Sequence, residues 1–199
     1  MTITNIAVIG AGNMGHQIAL HCAISGFKVK CTDLNAETLK KADAFVNQYL
    51  LGRIAKGRLT DEEAKIARDN IQFVGSLEQA VADADYVIEA VLEVLAIKRA
   101  LFKDLDRLAP PHAILASNSS AIVSSKIADV TARPEQVLNI HFFNPALVMK
   151  LVEVVQGPHV SDQTVEISMA LCKALNKEPV HLKKEVEGFL LNRIFGAIA

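Results

Sequence analysis

The amino-acid sequence predicts an α/β protein in which a mostly parallel sheet is flanked by helices. An apolar run at 5–10 indicates a buried strand that ends in a glycine turn, and a helix is predicted over 13–25, with Gly26 as its stop. A second strand is predicted at 27–33, and a right-handed connection makes the two strands parallel neighbours. Strands and helices continue to alternate, which is typical of a sheet covered by helices on both faces.

The elements that follow include a helical hairpin insertion and added antiparallel strands. A helix over 36–51 precedes a basic, polar stretch, which we expect to form a second helix packed against the first. Further helices are predicted at 77–81 and 95–108, and another over 161–176 with Ser161 as its N-cap. Further strands are predicted at 71–76, 83–91, 112–120, 138–145, 150–157 and 178–183.

The last predicted helix, over 187–199, differs from the others. It is apolar nearly all round and carries no C-terminal stop signal. An apolar helix of this kind has no partner of its own in the sequence. We therefore expect one domain over 1–184 and, over 185–199, the start of a helical domain that is cut off. A natural end packed against its own domain is the alternative.

Composition and charge narrow the class of protein. Lys and Arg number 21 against 22 Asp and Glu, so nothing indicates binding to nucleic acid. No apolar run approaches the ~20 residues that a membrane span needs, and no basic leader precedes the first strand. The 3 cysteines form no CxxC pair and no metal site is predicted, so we expect buried thiols in a cytoplasmic protein.

The glycine-rich turn after the first strand predicts a dinucleotide site. Its first glycine allows a tight turn, its second lets the backbone approach a pyrophosphate, and its third allows close helix packing. The N-terminus of the following helix would stabilise the pyrophosphate charge. The loop residues of this predicted cofactor site are Gly10, Ala11, Gly12, Asn13, Met14 and Gly15.

Asp33, at the end of the second strand, completes this pattern. A carboxylate at this position accepts hydrogen bonds from ribose hydroxyls and repels a 2′-phosphate. No arginine follows it directly, since Leu34 and Asn35 come next. The sequence therefore predicts a Rossmann-like domain with NAD, rather than NADP, as its cofactor.

A histidine and a glutamate on two late strands predict the chemistry. A chain that turns back near Leu147 sets these strands antiparallel and places His141 opposite Glu153. Leu151, Glu153 and Val155 share one face of their strand, and a carboxylate between aliphatic residues needs a partner. A carboxylate-held imidazole is a common general base, which we expect to take a proton from a substrate hydroxyl.

Two further polar residues are expected beside this pair. Ser120 follows a predicted strand at its carboxyl end, where ligands bind in such sheets, and its hydroxyl could hold the substrate oxygen. Asn144, close to His141 in the sequence, could contact either substrate or nicotinamide. We expect all four side chains to converge on one crevice.

The sequence resembles a known family, the NAD-dependent L-3-hydroxyacyl-CoA dehydrogenases, which include the short-chain 3-hydroxybutyryl-CoA enzymes. The matching stretches are VIGAGNMG, EAVLE, ASNSS, HFFNPALVMKLVEVV and GFLLNR, which together extend over nearly the whole chain. The resemblance implies fatty-acid metabolism, an acyl-CoA substrate and a Rossmann-like N-terminal domain. It also implies that a helical C-terminal domain makes the full-length protein a homodimer.

The resemblance also implies roles for particular residues. Those it implies for catalysis are His141, Glu153, Ser120 and Asn192. Cofactor contacts beyond the glycine loop and Asp33 are implied for Glu93, Lys98, Ser120 and Asn144. Substrate contacts are implied for Ser120, Lys56 and Asn192.

Three functions remain open at this stage. The leading one is hydride transfer between the C3 hydroxyl of an L-3-hydroxyacyl-CoA and NAD, with His141 as base. A related dehydrogenase that acts on a non-CoA hydroxy acid, of the sugar-acid or carnitine type, would share the fold and the His–Glu pair. The third is a nucleotide-binding module without catalysis, and residues 1–199 alone are expected to turn over little substrate.

Overall fold

The computed structural model describes residues 2–198, which form one eight-stranded sheet with helices on both faces. The strands are β1 (Asn5–Ile9), β2 (Lys28–Thr32), β3 (Ile71–Val74), β4 (Tyr86–Glu89), β5 (Ile114–Ser117), β6 (Val137–Phe142), β7 (Leu151–Val155) and β8 (Glu178–Leu182). The helices are α1 (Asn13–Ile24), α2 (Ala36–Ala55), α3 (Asp61–Asp69), α4 (Leu77–Val81), α5 (Leu95–Leu108), α6 (Ser125–Ala128), α7 (Asp162–Ala174) and α8 (Leu191–Ile198).

The strand order is β3-β2-β1-β4-β5-β6-β7-β8. Every neighbouring pair from β3 to β6 is parallel, β6 and β7 are antiparallel, and β8 is parallel to β7. This order reverses between β1 and β4, because the chain leaves β1 toward β2 and β3 before it returns. The predicted fold class is confirmed, including the hairpin of α2 and α3 and the antiparallel addition.

The core divides between the two faces of the sheet because side chains alternate along each strand. On β1, Ile6 and Val8 belong to a cluster under α1, α2, α3 and α7. Ala7 and Ile9, from the same strand, belong to a second cluster under α4, α5 and α6. A strand that is apolar on both faces suits a parallel sheet covered by helices, as the sequence predicted.

Several local predictions are confirmed to the residue. The bounds of α4 and α5 match the predicted ones, and Ser161 caps α7 by accepting a hydrogen bond from the Thr164 N–H. The helix α2 runs to Ala55, beyond its predicted end, and α3 begins with a complete capping box between Thr60 and Glu63. No helix within the described residues has the length and apolar character that crossing a membrane requires.

The last helix begins later than the sequence predicted. Gly188 and Phe189 have φ angles of 76° and 50°, in the left-handed region, so they cannot continue a right-handed helix. The described helix α8 therefore starts at Leu191 rather than at 187. Phe189 is fully buried against Val123 and Val155, which fixes the chain in front of α8 to the body of the domain.

Candidate active site

The predicted cofactor and base residues lie along the edge of the sheet where the parallel strands end. The loops after β1, β2, β4, β5 and β6 all leave the sheet at this edge. In open α/β sheets, ligands bind in the crevice outside the carboxyl ends of the strands, at the point where the strand order reverses. Here that point lies between β1 and β4.

Two of the three loop glycines are required by packing within the protein. Gly10 has a φ of 98°, and a Cβ added to it would lie 2.7 Å from the carbonyl oxygen of Ala90. A Cβ on Gly15 would lie 1.7 Å from the carbonyl oxygen of Gly10, so α1 packs directly on the turn. A Cβ on Gly12, by contrast, would meet nothing within 4 Å. The space above Gly12 is therefore free for a ligand.

The N-terminus of α1 has the properties of an anion site. Gly12 occupies its N-cap position without any side-chain hydrogen bond, and the first turn carries no acidic residue. In α2, α3 and α7, by contrast, side chains of Asn35, Thr60 and Ser161 cap the helix. The first N–H groups of α1 thus remain available to a pyrophosphate, whose charge the helix dipole favours. The loop fits a dinucleotide.

Asp33 is held beside this loop. Its Oδ2 accepts a hydrogen bond of 2.8 Å from the Ala11 N–H, and its Oδ1 accepts one of 2.9 Å from the Asn35 N–H. A carboxylate has about four lone-pair sites, so ribose hydroxyls can still bind to it. Leu34 beside it is fully exposed and offers no positive charge to a 2′-phosphate.

The register of β6 and β7 places His141 directly opposite Glu153, as the sequence predicted. His141 Nδ1 and Glu153 Oε2 are 2.8 Å apart, and both residues are buried. Because a carboxylate can only accept, the proton of a neutral imidazole lies on Nδ1 and leaves a lone pair on Nε2. The rings of Phe143 and Phe189 lie 4.5 and 5.6 Å from the imidazole, centroid to centroid, and restrict its rotation.

The second oxygen of Glu153 has a separate partner. Glu153 Oε1 accepts hydrogen bonds of 3.1 and 3.0 Å from the N–H groups of Leu190 and Leu191, at the start of α8. One buried carboxylate thus binds both the imidazole and the N-terminus of α8. Asn192 follows at once, and its Nδ2 lies 3.4 Å from the carbonyl oxygen of Ser120.

The last residue of β5 and the first two residues of the loop that follows it have different hydrogen-bond partners. Ser117 Oγ donates to Glu89 at 2.6 Å, and Asn118 Oδ1 accepts a 2.9 Å bond from the Phe142 N–H, next to His141. The Ser119 hydroxyl donates to Glu93.

The hydroxyl of Ser120 differs from those of Ser117 and Ser119. It is exposed, and within the described part of the chain it makes no hydrogen bond. Of these three serines, Ser120 is therefore the exposed one, and its contact with a substrate stays a prediction.

Glu93 organises the same loop from the other side. Its Oε1 accepts from the N–H groups of Ser120 and Ala121 at 3.1 Å each, and its Oε2 lies 3.2 Å from Lys98 Nζ. Partial burial alone would raise the pKa of Glu93, but the Ser119 hydroxyl and the Lys98 ammonium outweigh it and lower that pKa. Glu93 is therefore a carboxylate that the fold keeps ionised.

Lys98 is buried, with 1% of its surface exposed. Its Nζ lies 2.6 Å from Glu89 Oε1, and Glu89 is fully buried. Lys98 is therefore part of a buried ion pair and is not a solvated side chain of the first turn of α5. In its second ion pair, with Glu93, Lys98 is the buried member and Glu93 is the partly exposed one.

Of the remaining predicted residues, Asn144 and Met14 have contacts at the glycine loop or at α1, whereas Lys56 lies apart from the base site. Asn144 Oδ1 accepts a 3.4 Å hydrogen bond from Asn13 Nδ2, which joins the loop after β6 to the glycine loop. Met14, half-buried, packs against the core under α1. Lys56, by contrast, is exposed at the end of α2, and no contact among the described residues connects it to the His141 side of the crevice.

Two buried charged residues near the site were not identified from the sequence. Glu89 accepts bonds from Lys98, Ser117 and the Val91 N–H. Lys177 Nζ donates to the carbonyl oxygens of Ala146 and Met149, at 2.6 and 2.8 Å, and so fixes the turn between β6 and β7. Glu89 carries the same signal as Glu153, a carboxylate in an apolar strand that needs a partner.

The fold and this edge define the class of protein. A parallel sheet with a reversal in strand order, a glycine loop opening α1 and an aspartate after β2 make a dinucleotide-binding domain of the Rossmann-like class. Comparison with known proteins identifies the family. The family model described as "3-hydroxyacyl-CoA dehydrogenase, NAD binding domain" matches residues 5–186.

The chain is similar to named proteins over nearly all of its length. It is 42% identical over 194 residues to the "Probable 3-hydroxybutyryl-CoA dehydrogenase" of Bacillus subtilis, covering 98% of this chain and 67% of that protein. It is 37% identical to the mitochondrial hydroxyacyl-coenzyme A dehydrogenase of Rattus norvegicus, covering 96% and 62%. The crystal structure of 3-hydroxybutyryl-CoA dehydrogenase from Escherichia coli K12 superposes with a TM-score of 0.94 at 39% identity, covering 98% and 41%.

The chain belongs to the 3-hydroxyacyl-CoA dehydrogenase family and contains its NAD-binding domain. Its cofactor is NAD, which agrees with the free space above Gly12 and with Asp33 beside the loop. The chain spans between 41% and 67% of the length of the three proteins named above.

Proposed function

We propose that the whole protein transfers a hydride between the C3 hydroxyl of an L-3-hydroxyacyl-CoA and NAD. The observation that carries the proposal is the buried His141–Glu153 pair on the strands that extend the NAD-binding sheet. A buried imidazole held by a carboxylate is suited to take a proton from a hydroxyl. The relatives from Bacillus subtilis and Rattus norvegicus are named as dehydrogenases of hydroxyacyl-CoA compounds, which supports that substrate class.

The geometry of the pair supports a specific proton path. His141 Nε2 carries the lone pair, so it takes the proton of the C3 hydroxyl while the C3–O bond becomes a carbonyl. NAD, when bound, supplies the acceptor for the hydrogen that leaves C3 with its electron pair. Glu153 stabilises the imidazolium that forms, and its hydrogen bond fixes the ring orientation. The products are a 3-oxoacyl-CoA and NADH, and the proton passes from His141 to solvent.

Three side chains are proposed to hold the substrate or nicotinamide. The free hydroxyl of Ser120 would bind the C3 oxygen, and Asn192, whose amide lies beside the Ser120 carbonyl, would bind it from the α8 side. Asn144 would contact the nicotinamide, since it is bonded to Asn13 of the glycine loop. Lys56 would contact CoA phosphates from the hairpin, where its exposure leaves its ammonium free to bind.

A steady-state assay of the whole protein tests the proposal. Acetoacetyl-CoA and NADH should give turnover, and free acetoacetate at the same concentration should give little. Turnover with a sugar acid or a carnitine-type hydroxy acid, but none with the CoA ester, would indicate the related non-CoA dehydrogenase. NAD binding without turnover on any of these compounds would indicate a binding module and would overturn the proposal.

Two properties of the whole protein are also proposed here. The first is a homodimer that forms through the helical C-terminal domain, and light scattering of the whole protein tests it. A cytoplasmic location is supported by Cys22, Cys31 and Cys172, which are buried and unpaired. Fractionation of cells with an antibody against the protein tests that location.

A further inference from the structure

The segment over 183–190, which we call the linker, connects β8 to α8 and is fixed to the domain at several points. Phe189 is buried beneath the loop that follows β5, and Glu153 accepts the N–H groups of Leu190 and Leu191. A further attachment involves Glu185, a residue with no role in the cofactor or base sites described above.

The carboxylate of Glu185 lies against Ser124, Ser125 and Gly157. Its Oε1 accepts a hydrogen bond of 2.5 Å from the Ser124 hydroxyl and one of 2.9 Å from the Ser125 N–H. A Cβ on Gly157, after β7, would lie 2.6 Å from the Glu185 carboxyl carbon, so glycine there leaves room for the carboxylate. Ser124 is fully buried, which makes this contact part of the packed domain rather than a surface ion pair.

The partners of Glu185 lie at the end of the loop that carries the proposed substrate serine and at the start of α6. Ser124 and Ser125 follow Ser120 closely, and the Ser120 carbonyl oxygen is the group that Asn192 Nδ2 approaches at 3.4 Å. The linker is therefore held to the Ser120 loop in front of α8, and α8 meets the same loop again through Asn192. Together with Glu153, these contacts set the position of Asn192 relative to both Ser120 and His141.

We propose that Glu185 is a positioning residue of the active site: by anchoring the linker to Ser124 and Ser125, it keeps Asn192 in register with Ser120 and His141. This inference rests on the function proposed above. A misplacement of about 1 Å in a catalytic constellation can lower the rate by roughly 100-fold. Loss of the anchor should therefore lower kcat while the distant glycine loop still binds NAD.

The experiment compares Glu185→Ala with Glu187→Ala in the whole protein. Glu187 is the matched control, since it lies two positions along the same linker and its one side-chain contact within the described part of the chain is an exposed ion pair with Lys126. For Glu185→Ala we expect kcat with acetoacetyl-CoA to fall roughly 10- to 100-fold and Kd for NADH to stay within about twofold of wild type. Glu185→Gln should recover most of the kcat, because its amide oxygen can accept the same two bonds.

A double-mutant cycle tests whether Glu185 acts through Asn192. If it does, the loss in kcat/KM for Glu185→Ala with Asn192→Ala should be clearly smaller than the product of the two single losses. Ser124→Ala, a milder change on the other side of the contact, should give the same pattern with a smaller loss and serves if Glu185→Ala does not fold.

Three outcomes would overturn the inference. Glu185→Ala with the same kcat as Glu187→Ala would show that the anchor has no effect on the chemistry. A loss in kcat/KM for the double variant that equals the product of the two single losses would show that Glu185 does not act through Asn192. A wild-type protein without dehydrogenase activity would overturn the proposed function itself, and this inference with it.

Discussion

The glycine loop and the His141–Glu153 pair, at two places along one sheet edge, are built in different ways. Residues from Gly10 to Gly15 form the loop from one continuous stretch, and its shape depends on backbone contacts that leave no room for a Cβ at two positions. The base site combines side chains from β6, β7, the loop after β5 and the start of α8. The first is fixed by steric exclusion and the second by hydrogen bonds between distant segments.

This difference predicts different responses to mutation. In the loop, adding a single methyl group should be harmful, while the chemical nature of neighbouring side chains should matter less. At the base, removing one hydrogen-bonding group should abolish chemistry while leaving the dinucleotide site intact. The substitutions below test that contrast.

The largest expected effect is on turnover, from His141→Gln. Losing a positioned general base lowers the rate by about 10²- to 10⁴-fold. The Kd for NADH should stay near wild type, because the glycine loop and Asp33 make no contact with His141 among the described residues. Steady-state kinetics and a fluorescence titration with NADH measure the two quantities.

His112→Gln is the control for this change. His112 is an exposed histidine that precedes β5, at the opposite edge of the sheet, and it pairs with Asp85. It should leave kcat unchanged. Near wild-type turnover in His141→Gln would remove the general base from the mechanism, and an equal loss of NAD affinity would break the contrast between the two sites.

Much of this contrast could be predicted from the sequence, because each site has a local signal. The glycine spacing after an apolar strand predicted the loop, and a carboxylate within LVEVV predicted the partner of His141. The register of β6 and β7 then followed from the short return near Leu147. In each case the residues that decide the geometry lie close together in the chain.

The supports of the site could not be predicted in this way. Glu153 contacts Leu190 and Leu191 across a sequence separation of 37 and 38 residues, and nothing in the sequence indicates that its second oxygen is needed there. Lys98 is buried because Glu89, on a neighbouring strand, provides a counter-charge. Such contacts depend on how elements pack, which local periodicity does not determine.

A second expected effect, on fold and cofactor together, comes from Gly15→Ala. The added Cβ would lie 1.7 Å from the carbonyl oxygen of Gly10, so α1 must move away from the turn. Overpacking of this kind costs about 1–3 kcal/mol. We expect a lower melting temperature and weaker NAD binding, measured by thermal unfolding with and without NAD. An unchanged melting temperature would show that the turn moves to accommodate the added methyl group. That result would contradict the steric description of the loop.

Gly12→Ala should affect the cofactor alone. Its Cβ meets no protein atom within 4 Å and its φ of −63° suits alanine, so the melting temperature without NAD should not change. The same methyl group would occupy the approach to the pyrophosphate and weaken NAD binding by about tenfold or more, or ~1.4 kcal/mol. Calorimetric titration measures the loss. A variant that binds NAD as well as wild type would show that the pyrophosphate does not lie over Gly12.

The smallest expected effect lies between the two sites, at Glu93, and appears as a dependence of stability on pH. The fold lowers the pKa of Glu93 below its ordinary 4.5, despite partial burial, through the Ser119 hydroxyl and the Lys98 ammonium. The ionised form therefore adds stability above pH 4.5, and this contribution is lost as the pH falls through the lowered pKa. The difference in unfolding free energy between wild type and Glu93→Gln should thus be largest near neutral pH and shrink on acidification. Denaturant unfolding at several pH values measures it.

Ser119→Ala provides the control for this pH dependence, because it removes a group that lowers the Glu93 pKa without removing the carboxylate. In that background the effect of Glu93→Gln should change less with pH. A difference that is the same at pH 3 and pH 7 would show that Glu93 supports the Ser120 loop through its shape rather than its charge. The hydrogen bonds to the Ser120 and Ala121 N–H groups, which an amide oxygen can also accept, would then be sufficient to hold the loop.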